Sequence, residues 1–169
     1  MPSSKFLIAS NTLGSSAASV TFSNIPATYE DLILLLSTRA LDLTIIEMKL
    51  NGATSTYSNT LLLGNGTNAS STKNTGQSYL RVGYINSDSN NANTFSTGEI
   101  YIPKYRSTTD KPISSIGYTE ANGTTAYIAN YANLWQTSSA VTSITLEMAG
   151  SSSSFVSGSS FWLYGLKSS

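Results

Sequence analysis

The side chains of this chain that could do acid–base or ligand chemistry are few, and neither histidine nor cysteine is among them. That removes Ser-His-Asp and Cys-His nucleophilic mechanisms, the commonest metal ligand and thiolate zinc sites. What remains is paired carboxylates of the glycosidase kind, which need two acids held a fixed distance across a sugar. The candidates are Glu99, Asp110, Glu120 and Glu147, with Glu30 and Asp31 adjacent in sequence, and no spacing brings two of the four together. Exposed strand charges that deter edge pairing account for them better than catalysis does. Asp88-Ser-Asn90-Asn91-Ala-Asn93 has the outline of a calcium loop. It lacks the turn glycine and the closing bidentate Glu, and reads as an Asx-type turn. The triplets at Asn65, Asn68 and Asn122 fit the N-glycosylation pattern, as chance dictates in so Asn-, Ser- and Thr-rich a chain. The reading is therefore of a non-enzyme with no cofactor, no metal and no catalytic residue. Ten Tyr and two Trp make up the remaining functional chemistry, as core residues, interface anchors or sugar platforms.

Those aromatics must be held by some scaffold, and the composition says which. The 169 residues suit one domain spanning 1–169, and 40% are hydrophobic, enough for a core. Only 11% are charged, with a net charge of zero. Ser, Thr and Asn fill the place of charge. Basic residues cluster no further than Lys104, Arg106 and nearby Lys111, too few to track a phosphate backbone, so nucleic acid is not an expected partner. The apolar run at 6–9 is too short for a signal peptide or a membrane span. A polar, nearly uncharged surface on a protein expected to be made in the cytoplasm suits one that packs in many copies or one that works outside the cell.

Period-two alternation dominates. It places Ala18, Val20 and Phe22 on one face of a strand, Ile100 and Ile102 on another, and Ile144, Leu146 and Met148 on a third. In AYIANYANLW, Tyr127, Tyr131 and Trp135 oppose Ile128 and Leu134. Two segments are apolar on both faces: LILLLS at 32–37 and FWLYGL at 161–166. Such strands are central and covered on both sides, or they meet a partner. A buried helical turn over LILLL is disfavoured because no cap flanks it. Phe161, Trp162 and Tyr164 are accordingly the candidate subunit interface. Turns are expected at Leu13-Gly14, Asn51-Gly52, Asn65-Gly66, Asn122-Gly123 and Ser157-Gly158, the Asn-Gly pairs as tight hairpins. The segments 64–77 and 86–93 read as long polar loops, and 151–154 as a linker or exposed loop. Eight to eleven short strands at this spacing predict an all-β fold, an antiparallel β-sandwich of jelly-roll type.

Several segments together resemble a family of small β-rich virion proteins of tailed bacteriophages, especially phages of aquatic bacteria. They are FLIAS at 6–10, VTFSNIPATYEDLILLLSTR at 20–39, TGEIYIPKY at 97–105, AYIANYANLW at 126–135, VTSITLEM at 141–148 and SSFWLYGLK at 159–167. In the shared IYIPKY, Pro103 is expected to end an edge strand. The resemblance implies a virion structural protein with no catalytic residues, a capsid decoration or cement protein on the outside of the shell. Its partners would be copies of itself, as a trimer, and the major capsid protein or other virion proteins. The alternative is a tail or fibre module that recognises host surface polysaccharide. Neither reading involves a membrane.

Overall fold

In the computed structural model, residues 4–87, 93–120, 122, 126–151 and 153–167 are described. They form twelve strands: β1 (Ser4–Thr12), β2 (Ser19–Phe22), β3 (Asp31–Ala40), β4 (Thr44–Leu50), β5 (Tyr57–Gly64), β6 (Ala69–Gln77), β7 (Leu80–Ser87), β8 (Ser96–Ile102), β9 (Lys111–Thr119), β10 (Tyr127–Trp135), β11 (Ile144–Met148) and β12 (Ser160–Lys167). Among the described residues there is no α-helix, and a single 3-10 turn spans Ala149–Ser151. The period-two pattern wins because each alternating run buries one row of side chains. In β8, Ile100 and Ile102 are fully buried while Tyr101 is half-exposed and Glu99 is exposed.

Eight strands pair as one long hairpin folded back on itself. β1 pairs with β12, β2 with β11, β3 with β8 and β4 with β7, all antiparallel. β12 also pairs with β3, and β11 with β4, which rolls the hairpin into two sheets. The resulting orders, β1-β12-β3-β8 and β2-β11-β4-β7, are those of a jelly roll. Two further hairpins, β5–β6 and β9–β10, are inserted in the chain and widen the first sheet beyond β8 in the order β9-β10-β5-β6. A short parallel pairing of Arg39 and Ala40 with Asn86 and Ser87 joins the sheets at the end of β3.

Both sheets feed one core. Leu32, Leu34 and Leu36 of β3, Ile100 and Ile102 of β8, and Phe161 and Leu163 of β12 meet Ile46, Met48 and Leu50 of β4 and Ile144, Leu146 and Met148 of β11. Phe155 closes it edge-on against Phe161, with ring centroids 4.9 Å apart. The Tyr57 hydroxyl ties β5 to β4. It accepts from the Leu50 amide at 2.9 Å and donates to the Leu50 carbonyl at 3.2 Å. A smaller cluster of Leu61, Ala129 and Tyr131 packs with Tyr84 of β7, whose ring stacks on Tyr127. β7 comes so close to β9 there that a Cβ on Gly117 would lie 3.0 Å from the Gly83 Cα. A Cβ on Gly83 would meet the Gly117 Cα at an ordinary 3.6 Å, so Gly117 is the position that the approach constrains.

Several local expectations need correction. The expected polar loop at 64–77 is in fact the β5–β6 hairpin. β6 escapes hydrophobic patterning because ASSTKNTGQ is an exposed edge strand with no large apolar residue. Its turn follows expectation, with the Asn65 side-chain oxygen accepting from the Thr67 and Asn68 amides. Asn51-Gly52 turns with φ of 53° and 67°, yet joins strands of different sheets rather than a hairpin. Asn51 instead accepts from the Thr142 and Ser143 amides, at 2.7 and 3.1 Å, and fastens the chain entering β11. The serine run is no linker. Ser153 is buried and accepts from the Asp42 amide, and the Ser154 carbonyl accepts from Leu41. β8 is an interior strand, so Pro103 terminates it without marking an edge. Ala18 is exposed and precedes β2. The calcium-like stretch, apart from Asn93, lies outside the described residues, as do Gly123 and Thr124.

Gly117→Ala should lower stability by about 1–3 kcal/mol, because the obstructing atom is backbone and cannot rotate away. Gly64→Ala, which meets nothing within 4 Å, should leave it almost unchanged. The midpoints of denaturant unfolding of the two variants compare the effects directly.

Candidate functional site: the outer face of the large sheet

Residues directly opposite each other on neighbouring strands share a face, so the register maps the outer surface of the large sheet. One row runs from Ser10 through Trp162, Leu35, Glu99, Ile116 and Asn130 to Leu62. The next runs from Leu7 through Tyr164, Ile33, Tyr101, Ser114 and Ala132 to Thr60. Tyr118 and Ile128 lie beyond the first row. Inward neighbours on β3 and β12 are fully buried, whereas Ile33, Leu35, Trp162 and Tyr164 are half-buried, with Lys5 Nζ 5.3 Å from the centre of the Tyr164 ring. Leu7, Leu62, Tyr118 and Ile128 are exposed. From β12 to β5 the only charged groups on the two rows and at their lower border are the carboxylates of Asp31 and Glu99.

A groove of about 490 Å³ crosses this face, lined among others by Thr60, Leu62, Glu99, Tyr101, Ile116 and Asn130. Tyr101 is fixed there. The Tyr101 hydroxyl donates to Asp31 Oδ2 at 2.7 Å, and the other Asp31 oxygen accepts from the Lys104 amide at 2.7 Å. Donation to that carboxylate, with burial and the charges of Asp31 and Glu30 adding to it, pushes the phenol up to about 12.

The interface candidates divide. Trp162 and Tyr164 stand on the outer face, while Phe161 points inward, fully buried, and belongs to the core. The acid candidates stay apart. Glu99 lies on the outer face, Asp110 accepts from the Thr137 amide, and Glu120 accepts from the Asn122 amide. Glu147 pairs with Lys49 on the opposite sheet. The structure instead sets Glu147 directly across from Glu47. Burial raises the Glu47 carboxyl, the charge of Glu147 adds to this, and Arg81 opposes it. Glu47 was not separable in the sequence from an ordinary strand residue, since its neighbour comes from β11. Lys111 is buried, donates to the carbonyls of Ser107 and Thr109, and is lowered by burial, so it is a tie within its loop rather than part of a basic patch. Among the described residues no group of three or more His, Cys, Asp or Glu could hold a metal ion, and no helix is long and apolar enough to cross a membrane.

No protein-family model and no curated protein matches the chain.

The folded-state value of Tyr101 lies above the ordinary 10.0. The bond's contribution to stability is therefore whole below that pH and drains away as pH climbs towards about 12. Asp31→Asn should bring Tyr101 ionisation back towards 10, seen as phenolate absorbance against a Tyr101→Phe reference, and should flatten the alkaline fall in stability.

Proposed function

We propose that this chain is a structural protein of a tailed-phage virion, a decoration protein on the outer surface of the capsid that self-associates through the outer face of its large sheet. The observation that carries the reading is the apolar outer surface of β3 and β12, where Ile33, Leu35, Trp162 and Tyr164 stand side by side and half-buried. Soluble monomers seldom leave such a continuous patch, and a wide nearly uncharged sheet can meet a second copy without like-charge repulsion. Closed cyclic symmetry, as in a trimer, keeps such contacts from running on into fibres. The Ser-, Thr- and Asn-rich composition and the resemblance to phage virion proteins support the same role.

A second reading, a tail or fibre module for host polysaccharide, draws on the groove in which Tyr101 stands beside Glu99. Copy number distinguishes the two. Quantitative mass spectrometry of purified particles should find on the order of hundreds of copies for a decoration protein, as a shell's many symmetric sites require, and a handful for a tail tip.

Trp162→Glu should convert the wild-type oligomer to a monomer in light scattering with its circular dichroism unchanged, because the side chain it replaces lies outside the core. A wild-type protein that is monomeric at high concentration would overturn self-association through this face.

A further inference from the structure

Apart from the outer face, a second concavity lies at one end of the two sheets. It is a cleft of about 720 Å³ lined by Thr28, Tyr29, Glu30, Lys104, Arg106, Ser107 and Lys167. Its walls are the β2–β3 loop, the β8–β9 loop and the end of β12. The sequence offers nine cations and nine carboxylates, so there is no overall excess of positive charge to spread about. Three of those cations nevertheless face this one cleft against a single lining acid, Glu30. The adjacent acid Asp31 is already engaged by the Tyr101 hydroxyl and the Lys104 amide.

The walls are tied before any ligand arrives. Arg106 Nη1 donates to the Ala27 carbonyl at 2.9 Å, across the two loops. The buried Tyr105 hydroxyl donates to the Pro26 carbonyl and accepts from the Tyr29 amide. The Glu30 amide donates to the Leu166 carbonyl at 2.8 Å, which fastens the first loop to β12. Lys104 is held with φ of 44°, a left-handed conformation that a side chain adopts at a cost and that the Asp31 bond maintains. The Tyr29 ring lies against Gly165 so closely that a Cβ there would be 2.1 Å from the ring, so the glycine is the seat of the aromatic. Lys167 Nζ lies 5.6 Å from the Tyr29 centroid and 5.5 Å from that of Phe6.

We propose that this cleft binds a carboxylate-bearing sugar unit of an acidic polysaccharide. The cations supply charge-assisted donors for the carboxylate. Thr28 and Ser107 offer hydroxyls to sugar hydroxyls, and the Tyr29 ring, seated on Gly165, forms an apolar wall of the cleft. The volume falls in the range of small-ligand sites. Three cations are too few to follow a nucleic-acid backbone. The site is separate from the outer face and does not depend on where in a virion the protein sits.

The test is calorimetric titration of the full chain with oligogalacturonate, with its methyl ester as the uncharged control and an oligo-aspartate peptide as the control for charge alone. Oligogalacturonate should bind and weaken as salt is raised. The methyl ester and the variants Arg106→Gln and Lys104→Gln should each bind about tenfold more weakly or worse, as expected for loss of a charge-assisted contact. Lys104 makes its loop bond through the backbone, so its variant stands if loss of the Arg106–Ala27 bond disturbs folding. Binding should persist in Trp162→Glu, which separates this site from self-association. Absence of binding, equal binding of the ester, unchanged affinity in Lys104→Gln or tighter binding of the peptide would each overturn the proposal.

Discussion

A strand that is apolar on both faces has to find cover twice, and β3 is such a strand at the centre of the molecule. Leu32, Leu34 and Leu36 face the core and are all but inaccessible, while Ile33 and Leu35 face the other way. Its edges are also taken, by β12 on one side and β8 on the other, and its last residues reach β7. Burying the inner row draws β4 and β11 of the second sheet against it, and filling both edges fixes the order of the first. The outer row remains, and β12 extends it with Trp162 and Tyr164 instead of ending it. The half-buried apolar rows of the outer face are thus the second half of the pattern that builds the core.

Much of this was legible in the residues. Alternation in 97–105, 126–135 and 144–148 divided the residues into the two rows that the strands display, and the two-sided runs fell on interior strands. The sequence was silent where burial is not the organising force. β6 pairs through its backbone with side chains in water, and a strand without a hydrophobic row has no signature. Asn51-Gly52 carried the chemistry of a hairpin turn, but the turn chemistry does not say whether the next strand pairs with its neighbour or crosses to the other sheet. Phe161 and Trp162 could not be assigned to inside and outside, because alternation gives two faces without saying which is which. The charged cleft was least legible, since Lys104 and Arg106 meet Lys167 only when the last strand returns beside the β2–β3 loop.

The two ends of the large sheet differ in quality. Around β3 and β12 the interior is mostly hydrocarbon, with Thr38, Arg39 and Ser160 buried towards one end. Beneath β5 and β10 it holds Asn59, Asn133 and Tyr131, and Asn59 Nδ2, Asn133 Oδ1 and Tyr131 Oη are buried without hydrogen-bond partners among the described residues. Nε of Arg81 is in the same condition on β7. Each such group costs about 1–3 kcal/mol relative to a satisfied one. The inserted hairpins therefore add width over a more polar interior than that of the rolled core.

The pairing of β1 with β12 joins Thr12 to Ser160, almost the full length of the chain apart. Strand pairs so distant in sequence form slowly, because most of the chain must be closed into a loop first. The hairpins β5–β6 and β9–β10 are local and can form as they leave the ribosome. β1 and β3 cannot, since the strand that fits between them is the last of the twelve to be synthesised. Until it arrives, their edges and the leucines of β3 lie open to other nascent chains. When it does arrive, the same segment brings Trp162 and Tyr164 to the surface. If copies associate through those two rings, as proposed, only chains that have placed their last strand carry the surface that association needs.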